Sequence, residues 1–200
     1  TGSTSQRLPG RGPVIGLTPN RRVLAELHLL VEEGVDLAIR MGRLSDSSLG
    51  ARFLGLNPWV VVATPEYLEK NGTPSIPSDL SKHIALIYSS VQGDHRWQFT
   101  GRDGSNKSIQ VSGPLYSNNL STLLAATRNH LGIAALPWYV AYSSVQSRHL
   151  KPLLADWSLP AQEIHAVFSS PRLVPTKVSM LIDWLAGQFR GNWWTQEIGS

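Results

Sequence analysis

The chain has 200 residues, 42% hydrophobic and 16% charged, a composition typical of a globular protein with one large or two small domains. It has no cysteine, which excludes disulfides, thiolate nucleophiles and cysteine-based zinc sites. Four arginines precede the first acidic residue, Glu26, and account for the net charge of +4, so residues 23–200 show no bias towards nucleic acid. No apolar stretch approaches the roughly 20 residues that span a bilayer, and no secretory signal pattern is present, so we expect a cytoplasmic protein.

The first part of the chain leads from an irregular segment into a helix and a strand. Residues 1–20 are rich in Gly, Pro, Ser, Thr and Arg without periodicity, which predicts a leader, with a DNA-binding arm as the alternative. Apolar residues at helical spacing predict a helix over residues 22–33, which Gly34 would end in a left-handed conformation. A strand over residues 35–40 and a strand-like segment over residues 49–55 follow.

The middle of the chain alternates between buried strands and short helices. Residues 59–63 form a continuous apolar run rich in β-branched side chains, typical of a strand buried on both faces. Thr64 is a good N-cap and Pro65 a good first helical residue, so a short helix should begin there. A strand over residues 84–88 follows. Residues 97–99 and 109–111 alternate around a polar loop, which predicts a hairpin.

The last third of the chain continues the alternation. The pattern predicts helices over residues 120–130, 139–144 and 174–189, and strands over residues 131–137, 150–154 and 164–168. Strands alternating with helices, without a long internal repeat, indicate an α/β fold with a mostly parallel sheet.

Arg40 and Gly42 are the first candidate ligand-binding residues, because they come where the strand over residues 35–40 ends. Ligands of open α/β sheets lie at the carboxyl ends of strands. The Arg40 guanidinium can pair with a carboxylate in a planar, bidentate geometry, and a structural salt bridge is the equal alternative. Gly42 would let a ligand approach the backbone closely, or it is an ordinary turn glycine.

A second candidate position is the start of the helix over residues 120–130, where Ser117, Asn118 and Asn119 stand in a row. The free N–H groups and the positive end of the helix dipole make such a position favourable for an anion. The alternative is that these side chains only cap the helix. None of the six histidines has the spacing of a metal site, so we predict no metal and no cofactor.

Several short motifs occur in a particular order between residues 31 and 189. They are G-V-D-L-A-I-R-M-G at residues 34–42, A-T-P-E-Y-L at 63–68, P-S-D-L at 77–80, W-Q-F at 97–99 and L-G-I-A-A-L-P at 131–137. Each motif is weak alone. Together, in this order, they make the chain similar to the effector-binding (substrate-binding) domain of LysR-type transcriptional regulators.

The resemblance implies two Rossmann-like subdomains joined by crossover strands, as in type II periplasmic binding proteins. Residues 60–63 and 164–168 would be the crossovers. The first subdomain would contain residues 31–64 and 164–200, and the second residues 65–163, with residues 1–30 as an atypical leader or start of the first subdomain.

The same resemblance places two further candidates beside the cleft between the subdomains. Thr64 would lie where a crossover strand enters a helix, so that its hydroxyl faces the cleft, with simple N-capping as the alternative. Pro137 would line the cleft at the end of its strand.

The resemblance implies a sensor and not an enzyme, because Arg40 is the one strong candidate at the strand ends and no titratable groups cluster there. A small, anionic metabolite would bind in the cleft and bias the oligomer and the DNA-bound state. The expected partners are a second or further copies of the chain, as a homodimer or tetramer, and DNA through a helix-turn-helix domain absent from this chain. A periplasmic-type solute-binding protein of a transporter shares the architecture and is the alternative.

Overall fold

The computed structural model describes residues 36–42, 44, 50–91, 95–168 and 174–195. The predicted leader, the helix over residues 22–33 and its end at Gly34 lie outside these residues. The strands are, in chain order, β1 (Ala38–Met41), β2 (Gly50–Asn57), β3 (Trp59–Ala63), β4 (Ile84–Tyr88), β5 (Arg96–Gly101), β6 (Asn106–Gln110), β7 (Ser112–Ser117), β8 (Ile133–Pro137), β9 (Lys151–Leu153), β10 (Trp157–Ser158) and β11 (Gln162–Phe168). The helices are α1 (Pro65–Asn71), α2 (Leu120–Arg128), α3 (Trp138–Gln146) and α4 (Thr176–Gln188), with 3₁₀ turns at Pro77–Lys82 and Trp193–Thr195.

A five-stranded sheet with the order β7-β4-β8-β3-β9 forms the larger part of the described fold. Strand β4 is parallel to both of its neighbours, β7 and β8. Strand β3 runs antiparallel to β8, with Trp59 opposite Pro137, and β9 runs antiparallel to β3. Thr64 caps α1 by accepting from Tyr67 N–H, and Pro65 follows at the first turn, as the sequence predicts.

Two smaller sheets are antiparallel throughout. In the first, β11 lies between β1 and β2. In the second, β5 and β6 form the predicted hairpin, and β10 adds to the edge of β5.

The expectation of a mostly parallel sheet is wrong for the described strands, because only the two ladders of β4 are parallel and the others are antiparallel. A continuous buried run such as residues 59–63 shows that both faces are covered, but the same run suits either strand direction. The α/β class itself is confirmed.

The described residues form two separate hydrophobic cores, against which the sheets pack. One packs both faces of the five-stranded sheet and includes Val62, Leu86, Leu123 and Leu136, none of which exposes any surface. The other joins the β1-β11-β2 sheet to α4 through side chains such as Ile164 and Ile182. We call them the large core and the small core.

The chain passes from the small core to the large core at Pro58, between the last residue of β2 and the first of β3. It returns between β10 and β11, over residues 159–161. The predicted crossovers, residues 60–63 and 164–168, are strands that follow directly on these two passages. The subdomain boundaries assigned from the sequence stay a prediction.

We predict that Leu86→Ala lowers the free energy of unfolding by about 2–5 kcal/mol, because it opens a cavity at a fully buried position of the large core. The control is Ile84→Ala in the same strand, where the side chain is 43% exposed and the loss should be below about 1 kcal/mol. Urea denaturation of both variants measures the difference. Equal losses would contradict the burial described for β4.

Candidate functional site

One edge of the five-stranded sheet collects the ends of several strands. The parallel strands β4, β7 and β8 end there at Tyr88, Ser117 and Pro137, and the antiparallel strand β3 begins there at Trp59. We call this the carboxyl edge. Since neighbouring strands lie about 4.8 Å apart, β7 and β8 are separated across β4 by roughly 10 Å. The structure therefore brings two predicted candidates, Ser117 and Pro137, to the same edge.

Two aromatic side chains that the sequence reasoning did not select lie at the same edge, Tyr88 on β4 between the two candidates and Trp59 on β3 beside Pro137. The rings of Trp59 and Tyr88 pack at 5.8 Å between centroids, and both residues are buried. Trp138 N–H donates to the carbonyl of Pro58 at 2.9 Å, which fixes the start of α3 beside the passage between the cores. The carboxyl edge thus combines uncharged polar groups with an aromatic pair.

Ser117 and Asn119 form a capping turn at the start of α2. The Asn119 side-chain oxygen accepts from Ser121 N–H at 2.9 Å and Thr122 N–H at 3.1 Å, and Asn119 N–H donates to the Ser117 hydroxyl oxygen at 3.0 Å. Capping, the alternative stated from the sequence, is therefore present. An anion at this helix end would have to share or replace the acceptor that Asn119 supplies, whereas the neighbouring Asn118 is exposed.

Gly42 follows β1 close to the passage between the cores. Its N–H donates to the carbonyl of Glu163 at 2.8 Å, and its φ of 108° is one that other residues rarely adopt. The turn role considered for Gly42 is thus present. The preceding residue, Met41, has its sulfur 3.4 Å from the amide nitrogen of Asn57, so β1 ends beside the last residue of β2.

Arg40 is buried, with 8% of its surface exposed. In the antiparallel ladder of β1 and β11, it lies opposite His165. Its neighbours Ile39 and Met41 pack into the small core, so alternation along the strand directs the Arg40 side chain to the opposite sheet face. His165 lies 3.5 Å from a Glu163 carboxylate oxygen and packs edge-on against Phe53. We expected Arg40 at the end of the strand, but it lies within β1 on one face of the sheet, and its ligand-binding role stays a prediction.

Thr64 lies at the opposite edge of the five-stranded sheet, because β3 runs antiparallel to β8 and ends where β8 begins. Its side-chain oxygen is 2.8 Å from Nδ1 of His130, which stands just after α2 with a left-handed φ of 61°. Thr64 is buried, with 2% of its surface exposed. Thr64 therefore lies apart from Ser117 and Pro137, and its N-cap role, the alternative stated from the sequence, is present, whereas a ligand-binding role for it stays a prediction.

Beside Thr64, a contact between Tyr67 and His83 attaches α1 to the start of β4. The Tyr67 hydroxyl lies 3.4 Å from Nδ1 of His83 and accepts from Ile84 N–H at 3.0 Å. Burial lowers the pKa of His83 below its usual value, although the negative charge of Asp79 opposes that shift. Burial also raises the pKa of the Tyr67 hydroxyl.

A carboxamide network joins the two passages between the cores. The side-chain oxygen of Gln162 in β11 accepts from Asn57 Nδ2 at 3.2 Å and from Trp59 Nε1 at 2.9 Å. Sequence reasoning selected neither Asn57 nor Gln162, because 105 positions separate them and no local pattern relates them. Pro58, which separates β2 from β3, is a local signal for the change of sheet there.

The part of the chain that the structure describes contains no group of three or more His, Asp or Glu side chains placed to hold a metal ion. Within the same residues, no helix is long and apolar enough to cross a membrane.

The family model of the LysR substrate-binding domain matches residues 10–190. The chain belongs to this family. The assignment of residues 1–30 as an atypical leader or start of the first subdomain stays a prediction.

Curated relatives of this LysR substrate-binding domain are transcriptional regulators. An uncharacterized helix-turn-helix-type regulator of Haemophilus influenzae is 33% identical over 150 residues, 75% of this chain and 52% of the relative. The transcriptional activator AaeR of Escherichia coli is 32% identical over 160 residues, 80% of this chain and 52% of the relative. The chain spans about half the length of the curated relatives it matches. These matches give no support to the solute-binding alternative.

Solved structures agree with this assignment. The Vibrio cholerae virulence activator AphB is similar with a TM-score of 0.68 and 26% identity, covering 78% of this chain and 53% of that one. The regulatory domain of CrgA from Neisseria meningitidis gives a TM-score of 0.67 and 28% identity, covering 80% of this chain and 78% of that one. The domain thus has the periplasmic-binding-protein-like α/β fold of LysR-type regulatory domains.

We predict that Asn119→Ala lowers the free energy of unfolding by about 1 kcal/mol, because two N–H groups of the first turn of α2 lose their acceptor. Asn118→Ala is the matched control and should change stability by less than about 0.5 kcal/mol, since Asn118 is exposed. Chemical denaturation gives both values. An Asn119→Ala variant as stable as the control would show that the cap contributes nothing.

A second prediction concerns His83. Its pKa is lower in the folded protein than the ordinary 6.5, so the unfolded chain binds the proton more tightly. The free energy of unfolding should therefore decrease as the pH falls below about 6.5, because the proton then binds to His83 of the unfolded chain first. In His83→Gln, the fall in unfolding free energy between pH 7 and pH 5 should be smaller than in the wild type. Identical pH dependences in urea denaturation would contradict the prediction.

Proposed function

We propose that this domain senses a small, anionic metabolite, which binds between the two cores at the carboxyl edge. The observation that supports the proposal best is the convergence of Trp59, Tyr88, Ser117 and Pro137 at one edge, directly beside both passages between the cores. Ligands of open α/β folds bind at the carboxyl ends of strands. Family membership supports the same role.

The chemistry of the edge suits a ligand with an apolar body and a polar group. The rings of Trp59 and Tyr88 contribute aromatic, largely apolar groups, and the Tyr88 phenol also carries a polar hydroxyl, whereas the Trp59 N–H is already donated to Gln162. Ser117 and the exposed Asn118 can form hydrogen bonds, and the positive end of the α2 dipole lies beside them. A carboxylate is the group that such a dipole favours. Arg40 would contribute through the charge of its guanidinium and not through contact at the strand end.

The proposed mechanism is differential affinity. A ligand between the cores binds one arrangement of the two better than another, and so shifts the population towards it. A coupling of about 1–3 kcal/mol is typical of such systems and needs no chemical step, so we propose a sensor without enzymatic activity. The relatives named above are helix-turn-helix-type regulators or transcriptional activators. By analogy, we propose that the whole protein acts in the cytoplasm as a homodimer or tetramer on DNA, which it contacts through a separate helix-turn-helix domain.

A thermal-shift screen tests the ligand class, with benzoate, succinate, glutamate and glucose as probes. A ligand present at about 100 times its dissociation constant should add about 2.7 kcal/mol of stability. For a chain of this size, the melting temperature should rise by roughly 5–10 °C. We expect the rise with a carboxylate and not with glucose. A shift with glucose alone would contradict the anionic class, and no shift with any probe would count against the proposal.

Variants at the two edges of the sheet locate the site. Ser117→Ala and Asn118→Ala should reduce the ligand-induced rise, because they remove polar groups from the carboxyl edge. Thr64→Ala is the control: it should lower the melting temperature of the free protein by removing the α1 cap, yet keep the ligand-induced rise. A rise lost only in Thr64→Ala would place the site at the opposite edge.

A further inference from the structure

Gln162 links the two passages between the cores. It directly follows one passage, and its side chain bonds to residues on either side of the other. It begins β11, which belongs to the sheet of the small core, whereas Trp59 begins β3 of the large core. The 2.9 Å bond from the indole N–H to the Gln162 oxygen therefore connects one core with the other. Asn57, directly opposite Gln162 in the ladder, donates to the same oxygen at 3.2 Å. One acceptor atom thus serves donors on both sides of Pro58.

The burial of this network makes its hydrogen bonds important. Asn57 exposes none of its surface, and Trp59 exposes 7%. Among the described residues, the side-chain oxygen of Asn57 has no hydrogen-bond partner. A buried donor without its acceptor loses the interaction with water and gains nothing in return. Removal of the Gln162 oxygen would leave the Trp59 N–H in that condition, and it would leave the Asn57 amide nitrogen with the weak sulfur acceptor of Met41 alone. The unused acceptor on Asn57 favours any shift of the cores that brings it a donor.

The bond to Gln162 also fixes the orientation of the Trp59 ring. An indole has one N–H donor, so the position of its acceptor determines which way the ring lies. The same ring packs against Tyr88 at the carboxyl edge. A change in the position of β11 would therefore be transmitted through Gln162 to a ring at the carboxyl edge, where we propose that the ligand binds.

We propose that Gln162 is a positioning residue, which holds the two cores in one relative arrangement and sets the orientation of Trp59 at the effector site. This inference rests on the proposed function for its second part. Its first part, the arrangement of the cores, can be measured without any ligand.

The experiment measures the distance between the cores by pulsed electron paramagnetic resonance. The chain contains no cysteine, so Ala125→Cys in α2 and Gln188→Cys in α4 provide two specific spin-label positions, and both residues are exposed. The whole 200-residue chain is used. With Gln162 present we expect a single narrow distance distribution. In Gln162→Leu the width should at least double, because Asn57 and Trp59 lose their common acceptor.

Two further variants separate positioning from a general loss of stability. Gln162→Glu keeps an acceptor oxygen and should restore a narrow distribution at pH 7. Gln98→Leu removes an exposed amide that donates to Ser108 and should leave the wild-type width. A folded Gln162→Leu protein with the wild-type width, or a Gln162→Glu protein as broad as Gln162→Leu, would overturn the proposal.

If circular dichroism shows that Gln162→Leu does not fold, Trp59→Phe decides the question. This variant keeps an aromatic ring against Tyr88 and removes the indole N–H. A broadened distribution in folded Trp59→Phe supports the proposal, and an unchanged one overturns it. Because these distances are measured without ligand, a screen that finds no carboxylate ligand would refute the proposed function and leave the result for Gln162 standing.

Discussion

The antiparallel pairing of β3 with β8 is the constraint on which the rest of the structure depends. It places the first residue of β3, Trp59, opposite the last residue of β8, Pro137. The passage from the small core therefore enters the large core at the edge where the parallel strands end. A parallel β3 would have brought Thr64 and α1 to that edge instead, and the passage between the cores would lie far from it.

This geometry makes one edge of the sheet suitable for binding and the other for structural support. At the carboxyl edge, chain passages, an aromatic pair and a helix start lie together, so a ligand there can touch both cores. At the opposite edge, Thr64, Tyr67, His83 and His130 fix the ends of α1 and α2 to the sheet through hydrogen bonds. A molecule bound at that edge would contact the large core alone, and it would have no direct way to favour one arrangement of the cores over another.

Local patterns predicted most of the elements but not their relations. The hairpin of β5 and β6 alternates over a polar loop, and α1 carries its own cap, so both could be predicted from a few neighbouring residues. Strand β7 was missed because Gly113 and Pro114 oppose a strand prediction. Pro114 is tolerated because β7 lies at the edge of its sheet, and Gly113 is needed because a Cβ there would collide with the Ala85 carbonyl. Strand direction, which decides the place of Thr64, leaves no trace in a fully buried run.

The same contrast, between local patterns and the relations of distant elements, applies to the candidate residues. Pro137 was selected as the end of a strand and Ser117 as the start of a helix, and the structure places both at one edge because each is the last residue of a parallel strand. Arg40 was misplaced because the rule considers the end of a strand, whereas the alternation of side chains decides which face a residue occupies. Asn57 and Gln162 were out of reach because a network between residues so far apart exists only once β2 and β11 have paired. The residues that control the relative position of the two cores therefore lie at the passages between them. Local sequence patterns are least informative at these passages. There, one shared acceptor, the Gln162 oxygen, can determine how the cores are arranged.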